Sequence, residues 1–550
     1  MKRLAKKMLA VLLAAVVCMA SAGFLFGCAS SDDYVPENEK KYESRPYTVT
    51  VCLTAAGYGE QWLRDVAIYY MENYNDDTYI KVIPSVMNEE EGSKVSSGLA
   101  TRDLYFVEYP FDAEDPLVDL TDIVKGYPTN ETEHTIEQKM GDLKESYISE
   151  DGKYYQMPFG GAGTYAYTYA YNKTTLDEAF GVGNWTLPRT TKEFFEMGDD
   201  LKEKNIYLAA ASYGDQTAYT SRGILVWFAQ VAGLEAYNNF MNGKYWNGSA
   251  WVLAEDSPRM LEQQKDAVKA MYNMVMTLAR TDNNYFHKDS LAMTFANVES
   301  AFSGHGFGLN SRKVAFLFNG PWLDNEVKYL TDAMQDEGKP QELGWMKVPI
   351  SSDIVGAKDV NGNLRLSTVT DETRLRQAIS YIDGDITEKP EWLSEEDVAV
   401  LTEARNMYPT LISGSAVIPE NSSNVERAKD FLKFIASDEA MVASAASLNG
   451  LNMLPYTAFG DPVVPDTDNY WTKTYSENID DIIRIDSNLR TFGSENFALK
   501  TGFRPYDSDY IEYNILTTAP SSIKTPDQYY ESLYTYYSGR WGSIMGTWNS

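Results

Sequence analysis

Catalysis needs a nucleophile, a base or a metal ion held at defined spacing, and this sequence is poor in such arrangements. Its three histidines, His134, His287 and His305, lie scattered, which argues against an imidazole-built zinc site. There is no Gly-x-Ser-x-Gly nucleophile turn and no Walker-type phosphate loop. Gly160-Gly-Ala-Gly163 has the wrong spacing for a dinucleotide fingerprint, and a strand pattern follows it instead of a helix. The 79 Asp and Glu residues are so many that pairs at a glycoside-cleaving separation would arise by chance. Aromatic rings are the more specific resource, at 13% of residues with 39 Tyr. Tyr and Trp join a flat apolar face to a hydrogen-bonding edge, which suits a surface that holds a polar, flat-faced molecule without altering it. Most of the Tyr residues are expected to fill core and rim positions. The expectation is a binding protein, not an enzyme, with no catalytic residue, cofactor or metal.

The elements that must position such residues follow from periodicity. Tyr165, Tyr167, Tyr169 and Tyr171 alternate after the glycines, so a strand places all four on one face. Glycines ahead of a strand suit a chain crossing between two lobes. The length agrees: 550 residues exceed the roughly 250–300 at which one core stops growing. Tyr47, Val49, Val51 and Leu53 alternate as a strand, and Trp62, Val66 and Tyr70 share one helix face. Segments 79–83 and 103–108 read as further strands. This order predicts an α/β layer with a mostly parallel sheet. Ligands of such sheets sit beyond the strands' carboxyl ends, which points to the loop at 55–60 and the turn at Glu108. Thr190 caps a helix. The stretch 210–310 reads as mostly helical, and 313–318 as a short strand. Asn361-Gly362 marks a loop or hairpin. Segment 413–419 is extended. A helix over 425–435 turns Val425, Ala428, Phe431, Leu432 and Ile435 inward, and the tail over 526–548 is helical and aromatic.

The amino terminus reads as processing, not fold. Lys2, Arg3, Lys6 and Lys7 precede an apolar run at 8–26, the pattern of an export signal. Leu25-Phe26-Gly27-Cys28 resembles a bacterial lipoprotein box, although Phe26 departs from the small or aliphatic residue usual there. The resemblance implies a signal peptide at 1–27, a lipid on Cys28 and an extracytoplasmic protein anchored to the bacterial cell membrane. Residues 28–46 are polar and read as a flexible tether. With Cys18 in the leader and Cys28 lipidated, Cys52 is left alone, so no internal disulfide forms. The formal charge of −31 repels phosphate backbones and argues against nucleic acid as a partner.

Several segments in order resemble the family 1 extracellular solute-binding proteins, the group containing maltose-binding protein. Asp151-Gly-Lys-Tyr154 leading to Tyr171-Asn-Lys173 resembles the family's crossing strand, with a Pro-containing loop and helix after it at 188–199. Val314-Ala-Phe-Leu-Phe-Asn-Gly-Pro-Trp322 resembles its strand and turn, and Gly344-Trp-Met-Lys-Val-Pro-Ile350 the strand that follows. Gly414-Ser-Ala-Val-Ile-Pro-Glu-Asn421 resembles the return strand, and Asn452-Met-Leu-Pro455 a later crossing. The stretch 353–408 and the tail are longer than in smaller members.

The resemblance implies a two-lobed, periplasmic-binding-protein-like (type II) α/β fold with hinge crossover strands. Lobe 1 is expected to take 47–159 and 412–454, and lobe 2 to take 160–411 and 455–550. It implies a monomer that captures a carbohydrate, in particular an oligosaccharide, and passes it to the permease subunits of an ABC transporter. Trp322 is the first stacking candidate, because the family's Trp at this turn faces the cleft. Asn319 either contacts ligand or holds that turn. Trp227 lies where the family often supplies an aromatic. From the first lobe the candidates are Tyr58, Glu60 and Glu108, and from the crossing strand Tyr165. A peptide or polyamine binder on the same fold is the alternative, and a surface-tethered glycan-active enzyme a more distant one.

Overall fold

The computed structural model describes residues 35–549, leaving out 56, 86, 110, 150, 160–165, 214–218, 309–311, 411–413, 449–453, 458–468, 479–481, 487–496 and 504–524. Cys28 and Tyr165 lie outside the described residues. The described strands are β1 (Tyr47–Thr54), β2 (Thr78–Ser85), β3 (Leu104–Val107), β4 (Met157–Phe159), β5 (Thr168–Asn172), β6 (Lys244–Trp246), β7 (Trp251–Leu253), β8 (Phe316–Asn319), β9 (Leu343–Trp345), β10 (Met407–Thr410), β11 (Gly414–Val417) and β12 (Ile483–Asp486).

One lobe is built on a five-stranded sheet in the order β2-β1-β3-β11-β4. β1 runs parallel to β2 and β3, with helices Gln61–Asn73 and Asn88–Ser96 as the crossovers that parallel pairing requires. Trp62, Val66 and Tyr70 are buried, the face that their spacing predicts. The sheet is mixed, because β11 arrives from far along the chain and pairs antiparallel with both β3 and β4. The other lobe holds the antiparallel sheet β8-β5-β9 and the parallel pair β10-β12.

The strands on either side of 160–165 and 411–413 pair with one another. Gly414 and Ser415 pair with Phe159 and Pro158 on the first-lobe side. On the other side Ala166 bridges Thr410, and the Tyr167 amide donates to the Pro409 carbonyl at 2.8 Å. Paired strands of this kind are the hinge of a two-lobed α/β fold. The alternating tyrosines pack: Tyr169 lies against Phe194 and Phe318, and the Tyr171 hydroxyl meets that of Tyr470 at 2.8 Å.

One expectation changes and two gain detail. Residues 35–46 are not a free tether. Lys40–Tyr42 forms a 3-10 turn, and the carboxylate of buried Glu39 accepts from Arg64 at 2.7 Å and from the Tyr79 hydroxyl at 2.8 Å. The segment's charges looked solvated in the sequence, yet their partners sit in the first lobe. The helical stretch at 210–310 is interrupted by the antiparallel hairpin β6-β7. Asn247 organises its turn, with the side-chain oxygen accepting from the amides of Ser249 and Ala250. The tail is two helices, Pro526–Ser538 and Trp541–Trp548, docked on the second lobe through Tyr530 to the Leu261 carbonyl and Trp541 to the Ala254 carbonyl. Among the described residues no helix is long and apolar enough to cross a membrane.

Candidate ligand-binding site

Two loops face each other where the lobes meet. One follows β1 and enters the helix at Gln61. The other follows β8 through Gly320 and Pro321 to Trp322 and the short helix Leu323–Glu326. Both leave the ends of buried strands, so their positions are set by the sheets behind them. Asn319 shapes the second loop: its side-chain oxygen accepts from the Gly320 amide at 2.7 Å, and its Nδ2 donates weakly to Glu326 at 3.5 Å. This is the turn-holding role. Gly320 sits under the Trp322 ring, where a Cβ would overlap it.

Trp322 is contacted from both sides of the hinge. Tyr58 meets it edge to face, with ring centroids 5.5 Å apart and planes at 67°. Tyr167 meets it at 5.1 Å and 87°, and is itself stacked on Phe318 at 6.3 Å. Such arrangements are each worth about 0.5–1.5 kcal/mol beyond burial. Gly57 lies against the same ring and against the Glu326 carboxyl. Asn325 completes the contact by donating from Nδ2 to the Gly57 carbonyl at 2.7 Å.

The electrostatics of this corner are those of crowded carboxyls. Burial, and then the charge of Glu299, push the Glu326 carboxyl well above the usual carboxylate range, against opposing hydrogen bonds from Asn319 and Trp322. Burial likewise raises Asp324, with a hydrogen bond from Asn469 at 3.1 Å in opposition. Behind Asn319, Ser212, Val298, Glu299 and Leu317 help to line a cavity of about 10 Å³, room for about one water. The corner can therefore offer ring faces, an amide, and carboxyl groups able to donate or accept hydrogen bonds. Among the described residues no cluster of His, Cys, Asp and Glu has a metal-holding arrangement.

The structure brings Tyr58, Asn319 and Trp322 together. Glu60 stands beside them at the start of the helix, its carboxylate accepting from Arg64 at 3.0 Å. Glu108 is tied to the same strand ends by its backbone: its amide donates to Asn88 at 2.8 Å and its carbonyl accepts from Asn88 at 2.6 Å. Trp227 is not part of the cluster. Its ring is fully buried in helix Tyr219–Ala232 and its indole N–H donates to the Pro349 carbonyl at 3.2 Å. Sequence reasoning missed Gly57, Glu299, Asn325 and Glu326, while Tyr167 packs as its place in the strand led one to expect. Asn325 and Glu326 carried a usable signal, lying three and four positions after Trp322 on one helical turn. Glu299 carried none.

The architecture is shared with solved solute receptors. The bacterial solute receptor AcbH, described as having an exclusive preference for β-D-galactopyranose, is 12% identical; the match covers 91% of this chain and 99% of AcbH, with a TM-score of 0.53. The apo form of RafE from Streptococcus pneumoniae is 14% identical, over 91% of this chain and 98% of RafE, with a TM-score of 0.51. No family model matches the sequence, and no curated protein does. At these identities the likeness is one of fold: the two-lobed solute-binding architecture.

Proposed function

We propose that this chain is an extracytoplasmic solute-binding lipoprotein that captures a carbohydrate in the corner between its lobes and delivers it to an ABC importer. The single observation that carries the reading is the meeting of Tyr58, from the first lobe, with Trp322, from the second, beside Asn325 and Glu326. Sugars present apolar C–H faces and dense hydroxyls. Rings match the faces, while amides and carboxyls pair the hydroxyls, each of which costs about 1–3 kcal/mol if buried without a partner. Closure of the lobes excludes water and strengthens those bonds. In this reading the lobes take 47–159 with 412–454 and 160–411 with 455–550, and Cys28 carries the lipid anchor. Glu60 and Glu108 line the approach, Tyr165 is kept as a candidate contact, and no residue is catalytic.

A cationic solute such as a polyamine is the second reading. It is favoured by the neighbouring carboxyls of Glu299 and Glu326, since a bound cation would offset the repulsion that keeps Glu326 protonated and let both ionise.

A thermal-shift screen of mono- and oligosaccharides, with polyamines and short peptides as separate arms, tests both. A ligand at 100 times its Kd adds about 2.7 kcal/mol of stability. A shift with a sugar supports the first reading. A shift with polyamines and none with sugars replaces it by the second.

A further inference from the structure

We infer that Gly57 is the residue that permits the lobes to clasp, and that this clasp competes with a solute for the rings of the site. The inference rests on the reading of this corner as the binding site for its second half only. Gly57 does not have the positive φ that makes glycine necessary at Gly59, where φ is +67°. Its backbone suits any residue, so the requirement is one of space. The atoms a Cβ would overlap belong to the opposite lobe: the Trp322 ring and the Glu326 carboxyl. The far side of the same peptide is held by Asn325 at 2.7 Å. One residue thus carries both a close approach of the two lobes and a hydrogen bond between them.

The clasp has a consequence for recognition. Tyr58 and Trp322 sit edge to face at 5.5 Å, and Tyr167 meets the same indole at 5.1 Å. A sugar sandwiched between Tyr58 and Trp322 would need the two rings about 7–8 Å apart, twice the roughly 3.5–4 Å of atomic contact. Clasp and sandwich are mutually exclusive. The lobes must part before a solute enters, and the clasp lowers the apparent affinity by the fraction of molecules it holds.

Spin labels at Leu99→Cys and Val182→Cys, exposed positions in the two lobes, report the separation of the lobes in plain buffer. Cys52 is buried and does not take up label. The unsubstituted site should give a short, narrow distance distribution, and Gly57→Ala a longer one. Asn325→Ala, at an exposed side chain, should lengthen it partially and serves if Gly57→Ala fails to fold. Unchanged distances in both variants, or in Asn325→Ala where only it folds, overturn the clasp. This result is independent of any sugar. If a sugar is found by thermal shift, Gly57→Ala should bind it more tightly, or at least no more weakly. A tenfold weaker affinity overturns the competition while leaving the carbohydrate reading intact.

Discussion

Tyr58 and Trp322 stand on opposite lobes and share one edge-to-face contact, their ring centroids 5.5 Å apart. A residue in that position serves both the clasp and the solute, so its substitution removes both contacts at once. Trp322→Ala should weaken sugar binding at least tenfold, about 1.4 kcal/mol, in a calorimetric titration. Because the ring is mostly buried, the same change should also cost about 3 kcal/mol of stability. Trp322→Phe should recover most of the stability and part of the affinity. Unchanged affinity in Trp322→Ala would remove the ring from the site.

Glu326 makes the corner sensitive to pH. Its folded pKa lies above the ordinary carboxyl value, by burial and then by Glu299. The native state therefore binds more protons than the unfolded chain between those two values. The contribution favours folding below the unfolded pKa and is lost as pH rises through the folded one. Glu326→Gln should melt above the parent protein at pH 7, with the difference disappearing near pH 4. A difference that is constant with pH would contradict the assignment.

Asp397 behaves in the opposite sense. Burial alone would raise its pKa, but the hydroxyl of Thr368 and the amides of Ser367, Thr368 and Val369 hold it below the usual range. Its contribution is present above the unfolded pKa and lost as pH falls through the folded one. Asp397→Ala leaves these donors without an acceptor and should cost about 3 kcal/mol or more in a denaturant titration at pH 7.

The Glu39–Arg64 pair joins the amino-terminal segment to the first lobe at 2.7 Å, both side chains being buried. Removing one partner leaves an uncompensated charge, so Arg64→Ala should cost about 3–5 kcal/mol. Deleting residues 35–46 should destabilise the first lobe, whereas a tether would be removed without effect. Equal melting points would restore the tether.

Burial pushes the Cys52 thiol up to about 12, with the charge of Glu91 adding to the effect. Alkylation of Cys52 in native protein at pH 8 should be at least a hundredfold slower than in denaturant, followed by mass spectrometry.

The local elements were legible in the amino-acid sequence. Tyr47 to Leu53 alternates and is a strand. Of the residues its period selects, the helix Val425–Ile435 buries Ala428, Phe431, Leu432 and Ile435, while Val425 is only partly buried. Thr190 and Glu193 form the capping box that Thr190 announces. The loops at 55–60 and around Trp322, singled out in the sequence, do leave the ends of strands β1 and β8. Polarity misled at Glu39 and Arg64, because a charge in a sequence does not disclose whether its partner is water or another buried charge.

By itself the sequence determined the α/β class, the opening strand-helix-strand order, and which loops carry rings and carboxyls, since periodicity acts between residues a few positions apart. Only the tertiary structure decided that Gly57 meets Trp322, that Asn325 reaches the Gly57 carbonyl, and that Glu299 stands beside Glu326. Those contacts join segments far apart in the chain. They arise from how the two packed lobes fit, and no local pattern of residues encodes that fit.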